Sequence, residues 1–213
     1  DPLHNHAHVL RVLQVSKDIA YTKKLSSKEL QALVLAVWWH DVSRSYFRRT
    51  AAFVILRFCD DFLSSIALWV ASIRMGYFGA VPGMACRIIF CKNIGTGTIF
   101  TRLILRKKTR TILHILSDAD KIDMLHKERI ETFRTLSTKG FLFAFIYRTW
   151  FFWLKFTRDL CMKTPEGKKA HRAMCSHTLA WYSQKEVHLW HEKTYGKKWV
   201  VRTEKHWQKL ITG

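Results

Sequence analysis

The sequence predicts an all-α fold, and three observations predict it. Glycine and proline are scarce, 9 and 3 in 213 residues, too few for the many tight turns of a β-sandwich. Apolar residues recur every three or four positions through most of the chain, the period of a helix face rather than the alternation of a half-buried strand. Helix-start signals stand ahead of two of these stripes: Ser26 with Glu29 as a capping box, and Pro165 at the head of another.

Taken in order, Val9, Val12, Leu13, Ile19 and Ala20 follow helical spacing and put His8 at the start of the first helix. The capping box opens a second helix with Leu30, Leu33, Val34 and Val37 on one face. His40 lies two turns after Leu33, so it stays near that face and points inward, with Asp41 beside it. Thr50 to about Phe58 reads as a third helix and Asp60 to about Met75 as a fourth. Gly76 to Gly97 reads as irregular; Gly95–Thr96–Gly97 is a lone GxG without the spacing or the lysine of a phosphate loop. Thr109 to about Leu136 reads as one helix, with Ile112, Ile115, Leu116, Ala119 and Ile122 as its buried stripe and Asp120 adjoining it. Gly140 to Leu160 reads as an aromatic helix with Arg148, Lys155 and Arg158 interspersed. After Gly196 the chain is basic and aromatic, with Trp199 and Trp207, and reads as a short irregular arm. The expected organisation is a single domain over 1–213, with a core over about 4–190 and a basic aromatic tail over about 193–213.

Hydrophobic residues make up 48% of the chain, which excludes a disordered class. The cysteines Cys59, Cys86, Cys91, Cys161 and Cys175 are odd in number and lack a CxxC pair. They read as thiols of a reducing compartment, so a cytoplasmic location is expected. Phe62 to Cys86 carries only Arg74 as a charge, but its glycines, Pro82 and serines interrupt it, so no membrane span is expected. No secretory leader is visible. The net charge of +20 suits a phosphate-rich ligand and also permits weak non-specific binding of nucleic acid.

Four residues carry the chemistry: His8, His40, Asp41 and Asp120. Two imidazoles and two carboxylates form a sensible ligand set for one divalent ion, whether Mn, Fe, Co, Ni, Zn or Mg. Such a set points to hydrolysis by a metal-activated water. Buried carboxylates beside apolar stripes are rare unless paired or metal-bound. Arg11, Arg44 and Lys121 lie within three residues of a ligand and are placed to meet phosphate, Arg44 and Lys121 as expected catalytic residues with His40 and Asp41. His4 suits substrate contact or a second metal, but it also stands where a chain end frays. His188 and His191, with Glu192, have helical spacing that could bind a metal; a solvated helix face is the expected reading.

The order of these residues resembles the HD-domain metal-dependent phosphohydrolases, in particular their small bacterial branch. His4–Asn5–His6–Ala7–His8–Val9–Leu10–Arg11–Val12 resembles the opening H-[DN]-x-x-H-x-x-R-V. Ala36–Val37–Trp38–Trp39–His40–Asp41–Val42 resembles the apolar run that ends in HD, and Asp118–Ala119–Asp120–Lys121–Ile122–Asp123 resembles D-A-D-[KR]-[LI]-D. Ile130–Thr135 and Thr164–Lys168 resemble later segments, so the likeness covers roughly residues 4–190. The resemblance implies an HD-domain helical bundle; of the extra histidines that binuclear members carry between the HD pair and the last aspartate this chain has only His114, so one metal is expected. It implies that the ligand is Asp120 rather than Asp118 or Asp123, with Asp118 orienting a ligand histidine. Where some HD nucleotidases carry a glutamate after the HD pair, this chain has Arg44, so no general acid follows from the likeness.

The expected activity is therefore hydrolysis of a phosphate ester or phosphoanhydride, nucleotides included. The alternative is a basic nucleic-acid-binding protein on an HD scaffold. In it the tail from Lys193 to Lys209 would follow a phosphate backbone while its rings stack on bases. A third reading, a structural domain that no longer turns over, conflicts with the intact ligand set.

Overall fold

The computed structural model of the chain describes residues 3–46, 59–92, 97–153 and 162–212. The expected helix at Thr50–Phe58, the Asn93–Thr96 part of the GxG stretch, Lys155, Arg158 and Cys161 lie outside the described residues. Those described form eleven α-helices and no strand, an all-α fold. None of these helices is long and apolar enough to cross a membrane. The chain divides into two compact units, Asp1–Asp120 and Lys121–Gly213.

The first unit begins with α1 (His6–Tyr21), capped by Asn5, whose Oδ1 accepts from the His8 amide at 3.0 Å. His8, Val12, Ser16 and Ile19 form its buried stripe, so the helical period puts His8 on the core side. In α2 (Ser27–Trp39) the expected capping box is present, with Ser26 N donating to Glu29 at 2.8 Å. Leu33, Ala36 and Val37 are buried and carry their face on to His40 at the helix's C-terminus, whereas Leu30 is exposed. A 3₁₀ turn (Val42–Tyr46) follows. Next come α3 (Asp60–Arg74), α4 (Ala80–Phe90), α5 (Gly97–Ile104) and α6 (Lys107–Asp123). Helix α2 packs on α1 and α4, and α3 packs on α4 and the 3₁₀ turn. The stripe predicted for α6, Ile112, Ile115, Leu116, Ala119 and Ile122, is buried throughout.

Two departures in this region have local causes. The Gly76–Gly97 stretch, expected to be irregular, contains α4. Its Pro82 lies in the first turn, where no intrahelical N–H is needed, and Gly79 takes the positive φ of +128° just ahead of the helix. The single helix expected over Thr109–Leu136 is two, α6 and α7 (Lys127–Ser137), parted at Met124–His126. No glycine or proline marks that break. The Leu125 side chain is buried, and its carbonyl accepts from Thr178 Oγ1 at 2.7 Å, which replaces the helical bond it forgoes.

The second unit continues with α8 (Phe141–Trp153), α9 (Pro165–Tyr182), α10 (Lys185–Tyr195) and α11 (Lys197–Thr212). Pro165 does open α9, behind Thr164, whose Oγ1 caps the Gly167 amide at 2.9 Å. The tail expected to be an irregular arm is α11, packed on α9 and α10, with Trp199, Val200 and Trp207 buried. Those indoles therefore do not offer stacking platforms for bases. The expectation that His191 faces solvent is also corrected. It is fully buried, stacked near Tyr147 and Trp199, with Tyr147 Oη at 2.9 Å and the Val187 carbonyl at 2.7 Å. Spacing placed His188 and His191 near each other but could not say which side of α10 faced the core; His188 instead pairs with Glu204 at 3.4 Å.

Burial pushes the His191 imidazole down to about 4. The unfolded chain takes up a proton there below about 6.5, the folded chain only near 4. Stability is therefore lost as pH falls across that window, by on the order of 3 kcal/mol in full. Urea unfolding should show a falling midpoint from pH 7.5 to pH 5. His191→Gln, which keeps hydrogen-bonding atoms but does not titrate, should flatten that dependence; an unaltered slope in the variant would count against the assignment.

Candidate metal centre

Each of the four expected ligands is delivered by a separate local device. His8 rides the first turn of α1 and His40 terminates α2. Asp41 directly precedes the 3₁₀ turn, and Asp120 follows Leu116 by one helical turn on α6. Their ligand atoms lie within 4.8 Å of one another. His8 Nε2 is 3.4 Å from His40 Nε2, and Asp41 Oδ2 is 3.2 Å from each of the two nitrogens. Asp120 Oδ1 is 3.6 Å from His8 Nε2 and 3.8 Å from His40 Nε2. Bonds of about 2.0–2.2 Å to one ion require ligand atoms roughly 3.0–3.5 Å apart, so this spacing fits a single ion with slight contraction. The group could hold a metal ion.

Outer contacts orient these ligands. His40 Nδ1 donates to the Val37 carbonyl at 2.8 Å, which leaves Nε2 to face the cluster. Burial alone would lower the His40 imidazole, but the neighbouring Asp41 charge and the contacts with Asp120 outweigh it and carry it up to about 9. Burial would likewise raise Asp41 and Asp120. The cationic His40 and Lys92 hold Asp41 well below the usual carboxylate range, and Lys92 with His40 does the same for Asp120. His40 thus gives up a proton in order to ligate, which makes metal affinity pH-dependent.

The other expected residues are distributed unevenly. Arg44 lies at the cluster's edge. Its Nε pairs with Asp60 and stands 3.5 Å from Asp41 Oδ1, and its Nη1 is 3.0 Å from His4 Nε2. His4 is nearly buried, and its Nε2 is 3.9 Å from Asp41 Oδ2, so it belongs to the surroundings of the site rather than to a frayed end. Lys121 is half-buried and follows Asp120 directly on α6, which turns it by about 100° to another side of the helix. Arg11 is half-buried on α1. Asp118 is fully buried, and Asp123 pairs with Arg129 at 2.9 Å. Of the three nearby aspartates, the one in the cluster is Asp120.

Three residues at the site escaped the sequence reading. Lys92 follows α4 and directs Nζ to Asp120 Oδ2 at 2.9 Å, with Asp41 Oδ1 and Asp61 Oδ1 each at 3.9 Å. Asp61, in the first turn of α3, is buried, which carries it up to about 7. Asp60 accepts from Ser43 and Arg44 and fixes the 3₁₀ turn behind Asp41. The readable signal was the Asp60–Asp61 pair opening a helix; for Lys92 there was none, because its helix went unread. The chain matches no family model, no curated protein and no solved structure.

Proposed function

We propose that the chain is a metal-dependent phosphohydrolase of the HD-domain type, cleaving a phosphate ester or phosphoanhydride such as that of a nucleotide. The observation that carries this reading is the convergence of two imidazole nitrogens and two carboxylate oxygens within 4.8 Å, in the motif order that suggested them. His8, His40, Asp41 and Asp120 would hold the ion. When bound, a divalent ion supplies an activated water and polarises a phosphoryl oxygen.

The chain's own residues set the conditions for that chemistry. The Val37 carbonyl keeps the His40 ring in its ligating orientation. Asp60, through Arg44, steadies the far oxygen of Asp41. Arg44 and Lys92 bring positive charge to the edge of the site, which favours an anionic substrate. The charge of +20 adds a general attraction for polyanions, and weak, salt-sensitive association with nucleic acid would accompany it.

A panel of phosphomonoesters and nucleotides, assayed with added Mn or Co, should include substrates from which phosphate is released and chelator stops the release. Protein that binds an ion yet releases phosphate from none of them would refute the hydrolase reading.

A further inference from the structure

We propose that the Lys92 ammonium stands in the place of a second cation, so that the centre admits one divalent ion and no more. The inference rests on the metal reading of the His8, His40, Asp41 and Asp120 cluster and extends it to an adjoining position.

The geometry is that of bridging carboxylates. Asp41 turns Oδ2 to the two imidazoles, 3.2 Å from each, and Oδ1 toward Lys92 Nζ at 3.9 Å, with Arg44 Nε, itself paired with Asp60, at 3.5 Å from the same oxygen. Asp120 does the same, with Oδ1 3.6 and 3.8 Å from the imidazoles and Oδ2 2.9 Å from the ammonium. A carboxylate that spans two cations gives one oxygen to each, and both aspartates are divided in this way. Asp61 supplies a third carboxylate, 3.9 Å from the same Nζ. Two cation positions therefore share two carboxylates. One is lined by imidazoles, which suit a metal; the other is lined by carboxylates and already holds a positive charge tethered to the chain.

Charge balance supports the assignment. With Arg44 offset by Asp60, the carboxylates of Asp41, Asp120 and, once ionised, Asp61 match one divalent ion and one ammonium. A second divalent ion beside the lysine would leave excess positive charge among side chains that are largely buried. In a two-metal phosphohydrolase the second ion contacts the phosphoryl group and compensates its charge. Lys92 would provide that contact as a point charge with three donors, which needs no second metal.

The test is ion stoichiometry, measured by equilibrium titration with Mn and by electron paramagnetic resonance of the loaded full-length chain. Wild type should bind one Mn and give the spectrum of an isolated ion. Lys92→Ala and Lys92→Asn, which leave a gap lined by carboxylates, should bind a second Mn and give a spin-coupled spectrum. Lys92→Arg, which keeps the charge, should remain at one. Wild type that binds two ions would overturn the inference and leave the metal reading intact. So would shortened variants that stay at one ion. Wild type that binds none would fail the metal reading itself. Should the Ala variant not fold, the Asn variant and the wild-type count decide.

Discussion

Replacing Asp41 with asparagine is expected to lower metal-dependent phosphate release by roughly a thousandfold or more, about 4 kcal/mol of transition-state stabilisation. The substitution keeps shape and removes one ligand charge. Asp41 Oδ2 lies 3.2 Å from each of the two imidazole nitrogens, so it would share the ion with both of them. Its Oδ1 also faces Arg44 and Lys92, whose other partners, Asp60 for the first and Asp120 for the second, persist in the variant. The fold should accordingly survive, as far-ultraviolet circular dichroism and thermal unfolding would show. Undiminished turnover in a folded Asp41→Asn protein would remove this residue from the site.

His40→Ala should have a comparable effect on binding, weakening the metal by on the order of a thousandfold, since one of two nitrogen donors disappears. The readout is ligand-linked stability. A saturating ion at about a thousand times its Kd should raise wild-type stability by about 4 kcal/mol and leave His40→Ala nearly unmoved. His188→Ala provides the comparison. Its imidazole pairs with Glu204 in the other unit, and the variant should respond to the ion as wild type does. Equal stabilisation of the His40 and His188 variants by Mn or Co would show that the ion is held elsewhere.

The parts of the site that could be read from sequence are those fixed by short-range periodicity. The stripe from Val12 to Ile19 orients His8, Leu33 to Val37 orients His40, and Leu116 precedes Asp120 by one turn. In each case the helical period carries a polar residue onto or beside an apolar face, so three separate segments could be assigned without knowing how they pack. What could not be read depends on tertiary partners. The break between α6 and α7 is sustained by a hydroxyl 53 residues away, Thr178 on Leu125. The inward turn of His191 depends on Tyr147, and the order of the tail depends on burying Trp199 and Trp207. Lys92 was missed for a related reason. Glycines around α4 hid a helix whose apolar residues Ile88 and Ile89, buried at 0% exposure, carry the chain to the cluster. A charged residue in a stretch read as loop defaults to the surface, and only the three carboxylates around it show otherwise.

Elemental analysis of the gently purified chain, followed by titration of the chelator-stripped protein with Mn, Co and Ni, tests the central claim most directly. The arrangement of His8, His40, Asp41 and Asp120 predicts about one divalent transition-metal ion per chain, lost on chelation and restored on titration. A protein that is isolated free of metal and also takes up none of these ions would contradict it.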